Sequence, residues 1–332
     1  MYAFFYIPLK SLFSYVLLLC VVNRVRISLS PIFAVYVSFL YLLGMYRSEG
    51  VDINAYRRAY ENIQASDIFD PGFNTMMLFS QKLNLPFEIF LLSFGVINLL
   101  LLRFCCSRFN VNFGIVLAIL ALHLFLVRDF SQLRVGLAVN LVLVGYLAKG
   151  KIRYFFYLLG ISIQLTSVVL IGLFISYEFQ KRKIFLIKIL PFLIIMLTGF
   201  GLSYLAFLDP RIDIYLNWND VGYGNAISSF NILIFTFLFL FLSLYRCSFK
   251  IDIFVFSFLF SGVVFLSFSD VAIFSYRLTN ICMSLYPFLV AKILKESSNV
   301  YFKILTMLLV VPALAIRPGS VEILEVITLG IE

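Results

Sequence analysis

Long apolar runs, each ended by charge, recur along almost the whole of this chain. Runs of about 16–25 residues suit a helix that must cross a hydrocarbon core roughly 30 Å thick. The 332 residues are 62% hydrophobic and 13% charged, with a mean hydropathy of +1.03. A soluble domain of this size does not have that balance. Apolar and polar residues do not alternate within the runs, which excludes a membrane β-barrel. The fold class is therefore all-α: a polytopic integral membrane protein with about 10–12 transmembrane helices.

The runs predict spans near 3–22, 30–46, 86–102, 112–127, 135–149, 184–207, 229–245, 251–268, 278–292 and 302–316, all in a single transmembrane domain covering 1–332. The first run, MYAFFYIPLKSLFSYVLLLC, lacks a basic leader and a small-residue cleavage site, so it reads as a retained span. Residues 154–179 leave two alternatives. KGKIR before them and QKRK after them are both basic. Two inside flanks require a re-entrant hairpin with its tip near Gln164, Thr166 and Ser167; the alternative is one ordinary span that breaks the charge rule.

Charge then sets orientation. The chain has 11 Lys and 15 Arg. Short loops assigned to the inside mix both, as at Arg24/Arg26, Arg103/Arg108, Lys149/Lys151/Arg153 and Lys181/Arg182/Lys183. Both termini then lie outside. The opposite loops carry Arg47, Arg57, Arg58, Arg128, Arg134, Arg211, Arg277 and Arg317, with Lys82 as their one lysine. Insertion explains cations inside but not outside. Arginine without lysine suits forked binding of phosphate or carboxylate, which implies an anionic lipid-linked substrate met at the outer surface. The net charge of +9 is spread in pairs over many loops and does not imply nucleic acid. The five cysteines fit no zinc spacing and are expected as free thiols.

Three outer segments are long enough to build a substrate site: 47–73, 208–228 and 267–277. In the first, Asp70-Pro71-Gly72 signals a turn and helix start, and 72–84 reads as a short interfacial helix before Pro86 opens the next span. Asp52 could act as a base on a sugar hydroxyl, or simply cap the helix that carries Tyr56 and Tyr60; spacing favours the cap. RDFSQLR (128–134) stands between two spans with almost no loop, so Arg128, Gln132 and Arg134 converge at the outer membrane edge. The bland alternative there is an interfacial anchor paired to Asp129. Arg277, beside Tyr276, opens another span, where snorkelling is an equal alternative. His123 sits in an apolar run and reads first as a hydrogen-bonded core histidine. Trp218, with Tyr215 and Tyr223, could stack on sugars. No Walker loop, HExxH, GxSxG or paired acidic motif occurs. The expected site has no cofactor and no metal, and arginines neutralise the charge.

Several of these segments together resemble a known family. GVDINAYRRAYENI followed by DPGFNTMMLFSQKLNLPFEIFLL is similar to the first outer loop of EpsG-like exopolysaccharide polymerases, through Gly50, Asp52, Tyr56, Asp70, Pro71, Gly72 and Phe73. QLRVGLAVN resembles the family's arginine-containing span start at Arg134 and Ala138, and SYRLTN its later one at Arg277. Val135 stands where the family has glutamine, and Gln164 where it has histidine; glutamine can hydrogen-bond but cannot serve as a base.

The resemblance implies a Wzy-type polymerase of O-antigen, capsule or exopolysaccharide, with a GT-C-like architecture, in the bacterial inner (cytoplasmic) membrane with its site facing the periplasm or exterior. It implies partners in undecaprenyl-pyrophosphate-linked oligosaccharide and polysaccharide, membrane lipid and a chain-length regulator. Under it, Arg134, Arg277 and Asp52 are the expected catalytic residues. Arg128, Gln132, Tyr56, Gln164, Thr166, Tyr276 and Arg211 are expected to bind substrate. A lipid-linked oligosaccharide flippase and an O-antigen ligase are the rival functions. A flippase would place charge at mid-bilayer and often shows internal repeats, which this chain lacks.

Overall fold

The computed structural model describes residues 34–35, 38–39, 41–42, 53–62, 70–123, 133–180, 252–267, 278 and 281–296. All regular structure among them is helical. The spans expected at 3–22, 184–207, 229–245 and 302–316, and the segment 208–228, lie outside the described residues. The chain groups into two compact units: 26–171, and 1–25 with 172–332.

In the unit 26–171, α1 (Ile53–Glu61) leads to α2 (Pro71–Lys82), α3 (Phe87–Arg108), α4 (Phe113–His123), α5 (Leu133–Leu147) and α6 (Lys151–Ile163). α2 is a short helix where the sequence predicts one. Phe73 and Met77 are buried, while Phe79 on the opposite face is 63% exposed. α2 ends because Asn84 takes a left-handed φ of 53°, with Asn84 N–H donating to Gln81 O and Leu85 N–H to Ser80 O at 2.8 and 3.1 Å. That is a Schellman stop, and Pro86 then begins the next helix. Asn110 ends α3 in the same way, with φ 56° and a Val111 N–H to Cys106 O bond of 3.0 Å.

α3 starts at Phe87 as expected but runs on to Arg108, past the expected end at 102. Arginine is a good helix former, and its long side chain can extend past a helix end towards water. At 22 residues, α3 is the one helix among the described residues long and apolar enough to cross a membrane. The apolar helical stretches Arg134–Leu147, Leu165–Phe179 and Ile253–Val264 are shorter.

α5 and α6 form the most extensive helix pair, joined at Gly150. Its φ of 65° and ψ of −146° fall where only glycine is at ease. Small residues bring the two helices close. A Cβ on Gly145 would lie 2.7 Å from the Tyr157 ring, and one on Gly160 would lie 2.7 Å from Val142 Cγ2. Arg153 donates to Ala148 O and Tyr146 O at 3.3 and 3.5 Å, which satisfies carbonyls at the end of α5. α3 also packs on α5, and a buried polar chain links them. Asn140 Nδ2 donates to Asn98 Oδ1 at 2.6 Å, and Asn98 Nδ2 donates to Tyr41 Oη at 3.0 Å.

Residues 154–179 are not one continuous helix. α6 stops at Ile163, Gln164 is extended (φ −152°, ψ 110°), Leu165–Ser167 make a 3-10 turn, and α7 follows as Val168–Gln180. The interruption falls at the tip that a hairpin needs. The boundary between the two units lies within α7, after Ile171.

In the other unit, α8 (Ile253–Ser267) packs on a 3-10 turn (Met283–Leu285) and on α9 (Tyr286–Glu296). Asp252 caps α8 by accepting from Phe254 and Val255 N–H at 3.0 and 3.1 Å, and its other oxygen pairs with Lys292. Ser257 Oγ donates to Cys282 O at 2.7 Å. Cys105, Cys106 and Cys282 are buried free thiols, as expected.

Candidate functional site

The site grows from the sequence Asp70-Pro71-Gly72-Phe73. Proline at the first helical position presets φ, and Asp70 takes the extended N-cap backbone (φ −61°, ψ 145°). An N-cap aspartate ordinarily turns its carboxylate onto the first free N–H groups of its helix. Asp70 makes no such side-chain bond. The Phe73 and Asn74 N–H groups go to its backbone oxygen instead, at 3.0 and 3.1 Å. Its carboxylate points away to Arg134, whose Nη1 donates to Asp70 Oδ2 at 2.8 Å across 64 residues of sequence.

Phe73 anchors this corner. It is fully buried, with ring centroids 5.4 Å from Tyr56, 5.9 Å from Phe90 and 5.6 Å from Phe94. Burying one such ring contributes about 2–3 kcal/mol. Gly72 sets the approach to α6. A Cβ there would collide with Ser162 Oγ and lie 2.8 Å from Ser162 O.

α1 completes the wall. Tyr60 Oη donates to Leu85 O at 2.7 Å, and Gln81 Nε2 donates to Tyr60 O. Burial pushes the Tyr60 phenol above its ordinary value, which keeps it protonated and donating. Arg57 pairs with Glu88 Oε1 at 2.8 Å and lies over the Phe87 ring at 5.0 Å. Asp52, expected either as a base or as the cap of this helix, lies outside the described residues.

Arg134 sits in the first turn of α5, with its guanidinium 5.9 Å from the centre of the Tyr56 ring and 5.7 Å from that of Phe73. Two aromatic faces and one carboxylate thus hold the cation, a combination that favours charge and restricts geometry. Arg134 and Asp70 retain 20% and 22% side-chain exposure, so the protein does not fully enclose the pair. Tyr56, expected to bind substrate, is buried and lies with its ring beside the Arg134 guanidinium.

Gln164 and Thr166 lie on the broken segment, where Gln164 Nε2 donates to Thr166 Oγ1 at 3.1 Å. That 3-10 turn packs on α5, and Gly160 meets Ala138 O near the start of α5 at a would-be Cβ distance of 3.1 Å. The Gly72–Ser162 contact brings the start of α2 to the same end of α6. The starts of α2 and α5 and the end of α6 therefore share one corner, and it carries Asp70, Arg134, Gln164 and Thr166.

Arg128, Gln132, Arg211, Tyr276 and Arg277 lie outside the described residues, as do Asp129, Trp218, the side chain of His123 and most of the segment 267–277. Sequence reasoning missed the pairing role of Asp70. No periodicity links residues 64 apart; the one available signal was a lone carboxylate opening the interfacial helix.

No curated protein and no solved structure matches the chain. The EpsG family matches residues 29–316, a stretch that holds α1 to α9 and every residue of this corner. By that match over most of its length, the chain belongs to the EpsG family.

Proposed function

We propose that this protein is a polysaccharide polymerase that transfers a growing glycan from undecaprenyl pyrophosphate to a lipid-linked repeat unit at the outer face of the bacterial inner membrane. Family membership supports the general role, a membrane polymerase of polysaccharide. The observation that carries the site is Arg134, a cation at the start of an apolar helix held between Asp70, Tyr56 and Phe73.

In the reaction, the acceptor hydroxyl oxygen bonds to the donor's anomeric carbon. The bond from that carbon to the pyrophosphate oxygen breaks, its electron pair leaves with the lipid pyrophosphate, and the hydroxyl proton passes to a base. Arg134 stabilises the charge that grows on the leaving group. Arg128 and Arg277 would share that load, and Arg211 would hold the outer part of the donor. Asp52 is the proposed base. Gln164, with Thr166, orients the acceptor by hydrogen bonds, Gln132 and Tyr276 line the path, and a polytopic fold of GT-C type would carry the site.

The test is a gel of surface polysaccharide from a strain lacking the gene, complemented with wild type or Arg134→Ala. A polymerase leaves core lipid with a single repeat unit when it is lost, and Arg134→Ala fails to restore the ladder. Loss of the single-repeat species as well would make the protein a flippase or ligase. A normal ladder from Arg134→Ala at normal protein level removes Arg134 from the mechanism.

A further inference from the structure

We propose that Asp70 is a resident counter-ion that holds Arg134 in place when the site is empty and gives it up when a pyrophosphate group arrives. The proposal rests on the reading of Arg134 as the donor's anion-binding residue. Three features support it.

The carboxylate of Asp70 occupies a cap position and does not cap; it accepts from Arg134 instead. Helix α2 already has its first N–H groups on the Asp70 backbone oxygen and does not need the side chain for them.

The two partners also differ in freedom. Asp70 is short and precedes Pro71, Gly72 and Phe73, which are pinned by proline geometry, by the Ser162 backbone and by full burial. Arg134 has a long side chain with several rotatable bonds, so its guanidinium can change partner while a short carboxylate on a pinned backbone cannot follow. Exchange therefore moves the arginine and leaves the carboxylate where it is.

Finally, the pair is only part-buried. A fully buried pair loses several kcal/mol when one partner departs, whereas a pair in contact with water exchanges readily. With 20% and 22% exposure, Arg134 and Asp70 lie between the two kinds, with an open edge at which an incoming anion can meet the guanidinium. Asp70 then acts as a built-in competitor: a single carboxylate holds the fork loosely, and a doubly bridging pyrophosphate holds it better. It is a positioning residue, and it sets how strongly a ligand must bind to enter.

The experiment is titration of inorganic pyrophosphate onto the purified full chain in detergent. Removing a like charge near the bound anion should tighten binding by about five- to tenfold in Asp70→Asn. Asp70→Ser should do the same; serine is a good N-cap and keeps α2 intact where asparagine fails to fold. Asp70→Glu should keep affinity near wild type, and Arg134→Ala should weaken binding by about tenfold or more. Unchanged or weaker pyrophosphate binding by a neutral variant that accumulates normally overturns the proposal. That result would leave the polymerase reading standing, because the polysaccharide ladder judges it separately.

Discussion

Gly72 rests on the backbone of Ser162, so close that a Cβ would lie 2.8 and 2.9 Å from the Ser162 carbonyl oxygen and carbon. This contact seats the start of α2 on the end of α6. Gly72→Ala should destabilise the protein by about 1–3 kcal/mol, because backbone cannot move aside as a flexible side chain can. Thermal unfolding in detergent reads the loss. Ser162→Ala added to it should recover little, since it removes only Oγ; full recovery would show that the hydroxyl was the obstacle.

Tyr56 gives Arg134 one of its two aromatic faces at 5.9 Å. Tyr56→Leu removes that face and should weaken pyrophosphate binding by a factor corresponding to about 0.5–1 kcal/mol. Tyr56→Phe retains a ring and should stay closer to wild type. Equal affinities for the two variants would rule out the ring as a support for the cation.

Asn98→Leu takes the 2.6 Å acceptor from Asn140, which is 1% exposed. A buried amide without its partner costs about 1–3 kcal/mol. The double variant Asn98→Leu/Asn140→Leu should lose less stability than the two single variants summed. Strict additivity in unfolding measurements would show that the pair is not coupled.

Asp252 does two jobs with two oxygens, capping α8 and pairing with Lys292. Asp252→Ala should lower stability by about 1–2 kcal/mol, and Asp252→Ser should recover the capping share alone. If serine and alanine unfold at the same temperature, the ion pair carries the whole effect.

What was legible in the sequence is local. Pro71 and Pro86 punctuate helices by fixing φ, so α2 and the start of α3 fall within about two residues of where the sequence puts them. The break at Gln164 was readable from the conflict between two basic flanks. The end of α3 was not, because arginine continues a helix past the apolar run as easily as it ends one. Arg134 stood out through its position between two spans. Its partner Asp70 did not, because it lies 64 residues away in sequence and only tertiary packing brings it near. Charge pairs between distant segments have no period to betray them, and neither does the Gly72–Ser162 seat.

The asparagine pair between α3 and α5 has one more consequence. A hydrogen bond between two buried amides is satisfied at only one axial alignment of the helices, so it works as a depth stop. Arg134 lies six residues before Asn140 on α5, or about 9 Å along the axis at 1.5 Å per residue. The height of the guanidinium is thereby tied to α3, which among the described residues is the helix long and apolar enough to cross a membrane. In the proposed reading the donor hangs at a level fixed by lipid, so its cation needs a matching altitude, and a pair of amides far from the reaction would supply the ruler.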